Sequence, residues 1–176
     1  MTWIEDEVDC KADDEPFLTQ LYCFVPLTTL RSTTYNLGYN DLVVAKARAY
    51  NSKGFGHYSE PNILGALVSQ KPSLMDIVRI NKDTSTLTTI TVEWDALTTG
   101  EQTGGSAIDS YNLIWDAGTN GDSWQNVQGQ EDSFSVSTTA TVVGLTAGQY
   151  YQFRVIAHNV HGWADELSEI VSFQAA

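Results

Sequence analysis

One eleven-residue skeleton occurs twice in this 176-residue chain, and nothing else in the sequence constrains the fold as strongly. Val44-Ala45-Lys46-Ala47-Arg48-Ala49-Tyr50-Asn51-Ser52-Lys53-Gly54 lines up with Gln152-Phe153-Arg154-Val155-Ile156-Ala157-His158-Asn159-Val160-His161-Gly162. The shared pattern is A-x-N-x-x-G, preceded by apolar residues at alternate positions and followed by a serine, Ser59 in one copy and Ser168 in the other. A period of two places alternate side chains on one face of an extended strand. Asn and Gly at a tight turn supply backbone angles that other residues avoid. Each copy therefore predicts a strand, a turn and a returning strand. Two copies predict two homologous units, with Lys71-Pro72 as the seam, because Pro interrupts strand pairing and stiffens a junction.

The same alternation recurs elsewhere. Ile90, Val92 and Trp94 share one face of a run whose other face is Thr89, Thr91 and Glu93. Tyr111, Leu113 and Trp115 repeat it, as do Tyr151, Phe153, Val155 and Ala157. Turn-forming residues punctuate the gaps at 99–105, 118–121 and 159–162, and helix signals are nearly absent. Short alternating strands with turns every 8–12 residues describe an antiparallel all-β sandwich. Apolar residues at 42% are enough to fill a core, and charged residues at 18% are too few for a disordered chain.

Arranged in order, these segments resemble the fibronectin type III family over residues 73–176. Val92-Glu93-Trp94 is similar to strand B with its core Trp, and Ile108–Trp115 to strand C, including Tyr111 and Trp115. Leu145-Thr146-Ala147-Gly148-Gln149-Tyr150-Tyr151 resembles the E–F corner, and Glu169–Gln174 resembles strand G. The resemblance implies an immunoglobulin-like β-sandwich and a hydroxyl bond from Tyr151 back to the backbone near Leu145. Ala147 departs from the Pro usual in the family. On this alignment residues 72–176 are a complete module. Residues 1–71 are the C-terminal part of another, with strand C′ at Thr2–Val8, strand E at Leu21–Val25, then F and G. Val43 stands at its corner-tyrosine position, and Ser32–Asn40 reads as an insertion. A half sandwich leaves an apolar face open, so the expectation is that strands from a preceding part of a longer polypeptide, or from another subunit, close it.

Charge narrows the partners. The chain carries 22 acids against 9 bases, a net −13, and residues 72–176 hold only Arg79, Lys82 and Arg154 as cations. That balance argues against nucleic acid, whose phosphates need clustered cations, and against an anionic membrane surface. No apolar run approaches the ~20 residues of a membrane span, so membrane insertion of this segment is not expected. A self-repelling acidic surface favours solubility.

Cys10 and Cys23 are the only cysteines. Their spacing fits no zinc site. A disulfide around the intervening acidic loop implies an oxidising, extracellular or cell-surface setting; two free thiols of a reducing compartment are the other reading. No N-x-S/T sequon occurs, while Thr-rich stretches at 84–91 and 133–141 suit O-linked sugars or simply strands. Asp13, Asp14 and Glu15 lie in an acidic opening with Glu5, Asp6, Glu7 and Asp9. Calcium takes such oxygen ligands, but there is no D-x-D-x-D-G run, and a solvated loop is the plainer reading; no other cofactor is expected.

Catalysis is not expected. No G-x-S-x-G, H-E-x-x-H or P-loop pattern occurs, and a narrow sandwich rarely builds the cleft that shifts a carboxyl pKa. Binding candidates lie at the turns. Trp163 and His161 sit at the F–G turn, which this family often uses for adhesion although the Arg-Gly-Asp triplet is absent here. Trp124 lies near C′, and Phe55 and Tyr58 lie at the comparable turn of the first unit. Trp163 either protrudes or folds onto the sandwich end. The expectation is a non-enzymatic segment of tandem fibronectin type III modules in an extracellular structural or adhesion protein, making contacts with other chains or neighbouring domains and assembling into a surface fibre or coat. The alternative is a carbohydrate- or ligand-binding accessory module of a secreted enzyme or receptor.

Overall fold

The computed structural model describes residues 3–6, 8–11 and 22–176. The chain divides into two compact units, one ending at Val68 and one beginning at Ser69. The division falls ahead of the Lys71-Pro72 seam because residues 69–73 are tied into the second unit. Gln70 N–H donates to the Gly104 carbonyl at 2.7 Å and Ser73 N–H to the Gln102 carbonyl at 2.8 Å.

In the first unit a single helical turn, α1 (Leu27–Leu30), precedes a hairpin of β1 (Tyr50–Asn51) and β2 (Gly54–Phe55). Tyr50 stands opposite Phe55 and Asn51 opposite Gly54. The hairpin limbs run on past these strands. Gly56 N–H bonds the Ala49 carbonyl at 2.9 Å, Ser59 N–H the Ala47 carbonyl at 2.7 Å, and Val43 N–H the Ala66 carbonyl at 3.0 Å. A bridge between Leu42 and Leu67 closes the far end. Side chains make some of the rungs: Ser59 Oγ accepts from Ala47 N–H at 3.0 Å and Asn62 Oδ1 from Ala45 N–H.

The limbs expected from the repeat are therefore paired, but among the described residues no strand falls at the places expected for C′ and E. Within Thr2–Val8 and Leu21–Val25 the described stretches Trp3–Asp6 and Tyr22–Val25 carry no ladder. In the second unit the counterparts of C′ and E bond to strands C and B, and the described residues of the first unit contain neither. A strand's N–H and C=O groups define it only when a partner receives them.

The second unit is a two-sheet sandwich. In chain order come β3 (Arg79–Ile80), β4 (Thr89–Glu93), a one-turn helix α2 (Gly100–Thr103) and β5 (Ile108–Trp115). Then follow β6 (Gln125–Gln128), β7 (Thr139–Val143), β8 (Tyr150–Asn159), β9 (Gly162–Trp163) and β10 (Val171–Gln174). One sheet has the order β10-β8-β5-β6 with β9 also on β8, and the other β3-β4-β7. All pairings are antiparallel. This is the Greek-key connectivity of an immunoglobulin-like sandwich.

The core lies between the sheets. Ile90, Val92 and Trp94 face Tyr111, Leu113, Tyr151, Phe153, Val155 and Ala157, all essentially buried. These are the residues that the period of two assigns to one face. Trp94 meets Tyr111 edge-on at 6.3 Å, while Trp115, half-buried, stacks on Tyr151 at 5.7 Å. Tyr151 Oη accepts from Thr146 N–H at 2.9 Å, next to Leu145, and so pins the crossover from β7 to β8. Tyr111 Oη accepts from Leu97 N–H at 2.9 Å. Burial raises the Tyr111 phenol pKa, a rise this bond partly offsets.

The α2 turn was not expected. Its signal is a capping box: Thr99 Oγ1 accepts from Gln102 N–H while Gln102 Oε1 accepts from Thr99 N–H. Gly104 ends it in the left-handed region at φ 65°, close against the carbonyls of Gln70 and Lys71.

Candidate interaction site

The repeated skeleton places the same hydrogen bonds in both units. Asn51 Oδ1 accepts from Lys53 N–H at 2.8 Å, and Asn159 Oδ1 from His161 N–H at 2.9 Å. Ser59 and Ser168 each bond one residue of the opposite limb twice. Ser168 N–H donates to the Val155 carbonyl and Ser168 Oγ accepts from Val155 N–H, both at 2.9 Å, as Ser59 does with Ala47. The A-x-N-x-x-G-…-S pattern thus encodes an Asx turn and a side-chain rung.

In the second unit the turn is buttressed. Asn159 is fully buried, and its Nδ2 donates to the Gln70 carbonyl at 2.8 Å and the Thr103 carbonyl at 2.9 Å. His161 is exposed, with Nε2 at 2.8 Å from Ser69 Oγ. Trp163 does not protrude freely; it is half-buried in a cluster on the outer face of the sheet. The His158 ring lies 4.7 Å from both Phe134 and Trp163, and those two rings meet edge-on at 6.0 Å. His158 Nδ1 is 2.6 Å from Asp109 Oδ1. Phe134 is 44% exposed, and Val136 and Val160 are more so. Phe134 and Asp109 were not singled out from the sequence, and His158 reads there only as a residue at the F–G turn. Phe134 arrives on a long connection between β6 and β7, and the Asp109–His158 contact depends on the β5–β8 register, which carries a bulge between Ile108 and Ser110. Trp124 is half-buried away from this cluster.

The first unit carries a different surface. Phe55 and Tyr58 are exposed and stack with cations. Arg48 lies over Phe55 at 3.9 Å and over Tyr58 at 4.6 Å, and Lys46 lies 4.4 Å from both Tyr58 and Trp3. Arg48 also pairs with Glu5 at 2.9 Å. Among the acids of the opening, Asp6 Oδ1 accepts from the N–H groups of Val8 and Asp9. Burial pushes the Asp6 carboxyl up, but these bonds, the Tyr35 hydroxyl and Cys10 N–H outweigh it and hold the group below its ordinary range. Asp13, Asp14 and Glu15 lie outside the described residues. Cys10 and Cys23 form a disulfide with Cα atoms 5.2 Å apart.

A buried carboxylate that the sequence did not flag organises the connection from β5 to β6. Asp116 is fully buried and accepts from the N–H groups of Gln152 and Gly118 at 2.9 Å and of Gly121 at 3.2 Å. Three backbone N–H donors converge on the one carboxylate. Among the described residues, one open surface depression is lined by residues 70–74, 165 and 166 and another by residues 74–77, 79 and 169.

The fibronectin type III domain profile matches residues 76–174. Among solved structures, a multi-domain titin segment is similar at 24% identity and TM-score 0.51, covering 79% of this chain and 42% of its own. A human fibronectin type III domain is similar at 18% identity and TM-score 0.52, covering 65% of this chain and 87% of its own. The chain thus spans about two fifths of the titin segment that it resembles. No curated protein sequence matches.

Proposed function

The chain belongs to the fibronectin type III family, and from that premise we propose that it is a non-enzymatic segment of an extracellular structural or adhesion protein, two modules in tandem that work through protein–protein contacts. The observation that carries this reading is the pair of matched hairpins. Asn51 and Ser59 make in the first unit the bonds that Asn159 and Ser168 make in the second. Repetition of one module is how spacing is built into a long protein. The Cys10–Cys23 bridge supports an oxidising compartment. Among the described residues no helix is long and apolar enough to cross a membrane.

The contact surface is the outer face at Phe134, Trp163 and Val160, where apolar groups are exposed beside the F–G turn. Through it, copies join into a surface fibre or coat. Sedimentation of the 176-residue chain across a concentration series tests this. The expected result is association that rises with concentration and weakens in Phe134→Ser. A chain that is monomeric throughout excludes fibre formation by this segment.

A second reading, a carbohydrate- or ligand-binding accessory module, rests on the same exposed Phe134 beside Trp163. Quenching of tryptophan fluorescence by members of a glycan panel, lost in Phe134→Ser, supports it over the first.

A further inference from the structure

The two hairpins present the same face with opposite charge. Tyr50 stands opposite Phe55 and His158 opposite Trp163, at matching positions of the repeated skeleton. In both pairs the ring centroids lie 4.7 Å apart. Lys46 and Arg48 match Arg154 and Ile156 of β8, and so lie on the side of the strand away from the core positions of Phe153, Val155 and Ala157. Around the first pair the hairpin's own charge is positive. Residues 42–59 hold Lys46, Arg48 and Lys53 and none of the chain's 22 acids. Arg48 stacks on the exposed rings of Phe55 and Tyr58, and Lys46 on those of Tyr58 and Trp3, while Glu5 from outside the hairpin takes one guanidinium bond. Around the second pair the charge is negative. Asp109, its side chain 41% exposed, meets His158, and Glu131 and Asp132 are exposed on the connection that carries Phe134. The cations of the second unit are turned elsewhere. Lys71 pairs with Asp165 and Arg79 with Asp95, the Arg154 guanidinium donates to the carbonyls of Leu167 and Ser168, and Lys82 follows β3 in the other sheet.

We propose that the cationic hairpin face of one copy docks on the acidic face at Phe134 and Trp163 of the next, so that fibres grow head to tail. The occupant of the Phe134 face is thus the hairpin of a second copy, presented through Lys46, Arg48, Phe55 and Tyr58. Charge decides this against a symmetric contact. Two Phe134 faces brought together set Asp109, Glu131 and Asp132 against a second acidic set, which costs affinity. The hairpin instead brings cations already stacked on rings, and Arg with aromatic residues is the composition that anchors interfaces. A net charge of −13 opposes association in general, but it is unevenly divided, with 13 acids against 3 bases in residues 72–176. Contact between the acid-free hairpin and the more acidic unit lessens that repulsion. Because two different faces meet, each copy keeps one of the two free at a fibre end, and the contact propagates.

This rests on the reading that copies join through the Phe134 face, and its test separates the two. Sedimentation is run on Lys46→Glu/Arg48→Glu, on Phe134→Ser and on their equimolar mixture, each as the 176-residue chain. The expected result is that each variant alone associates about tenfold or more weakly than the parent, while the mixture forms a complex of one copy of each that grows no further. Formation of that complex also shows that both variants are folded. Lys46→Gln/Arg48→Gln, which removes the charges but keeps polar stems over the rings, should weaken association by a smaller factor. Added salt should weaken association of the parent, with no substitution needed. Parent-like association of Lys46→Glu/Arg48→Glu overturns the proposal and leaves the Phe134 face as a symmetric contact. A mixture of folded variants that stays monomeric, or parent association indifferent to salt, also overturns it. A parent that is monomeric throughout removes this proposal and fibre formation together.

Discussion

Asn51 and Asn159 close the same turn with the same bond, yet only Asn159 reaches beyond it, to the carbonyls of Gln70 and Thr103. Asn159→Ala removes the bonds to the Gln70 and Thr103 carbonyls and to the His161 N–H from a fully buried position and should cost about 3 kcal/mol. Asn51→Ala removes one exposed turn bond and should cost less than about 1 kcal/mol. Urea unfolding of the two variants measures the difference, and equal costs would mean that the two turns are not distinguished by burial.

Asp116 is held by three backbone donors. Asp116→Ala strands all three and should lower stability by about 3 kcal/mol, with Asp116→Asn in between. Chemical denaturation of both variants checks the order.

Arg79 grips Asp95 through two bonds of 2.8 Å. The guanidinium, through those hydrogen bonds and then its charge, holds the Asp95 carboxyl below the ordinary range. A depressed folded-state pKa gives stability that is present above the ordinary carboxylate range and is lost as pH falls through the folded-state value. Both partners are exposed, so the effect is small and screened by salt. Asp95→Asn should therefore be the less stable near pH 7 and approach the parent as pH falls through the depressed carboxyl's range. Thermal unfolding at low and high ionic strength reads both dependences.

Gly104 combines a positive φ of 65° with close approach to the carbonyls of Gln70 and Lys71. An added Cβ has no space there, and Gly104→Ala should destabilise the second unit by about 2 kcal/mol. A wild-type midpoint in denaturant would show that the loop yields instead.

Reduction of the Cys10–Cys23 bridge opens a loop of sequence separation 13 and should cost about 3 kcal/mol in the first unit. Faster hydrogen exchange along residues 42–67, with no change at β5 or β8, is the expected signature.

The second sandwich was legible because its strands alternate. Trp94, Tyr111, Leu145 and Tyr151 declare themselves by position, and they occupy the core and the corner. What escaped the reading is what depends on register or on distant backbone. Asp116 looks like any loop acid until β8 supplies its donor. Phe134 looks like a loop aromatic until it reaches His158. Strands C′ and E of the first unit were expected from the family pattern, but a strand needs a neighbour, and the described residues offer none.

The serine rungs have a consequence for how this architecture varies. Ser59 follows Gly54 by five residues and Ser168 follows Gly162 by six, yet each grips its opposite limb in the same way. A hydroxyl that stands in for a peptide group lets a returning strand absorb an extra residue without sliding out of step. Hairpin tips in such a protein are thus free to lengthen, and so to diversify, while the sheets beneath them keep time.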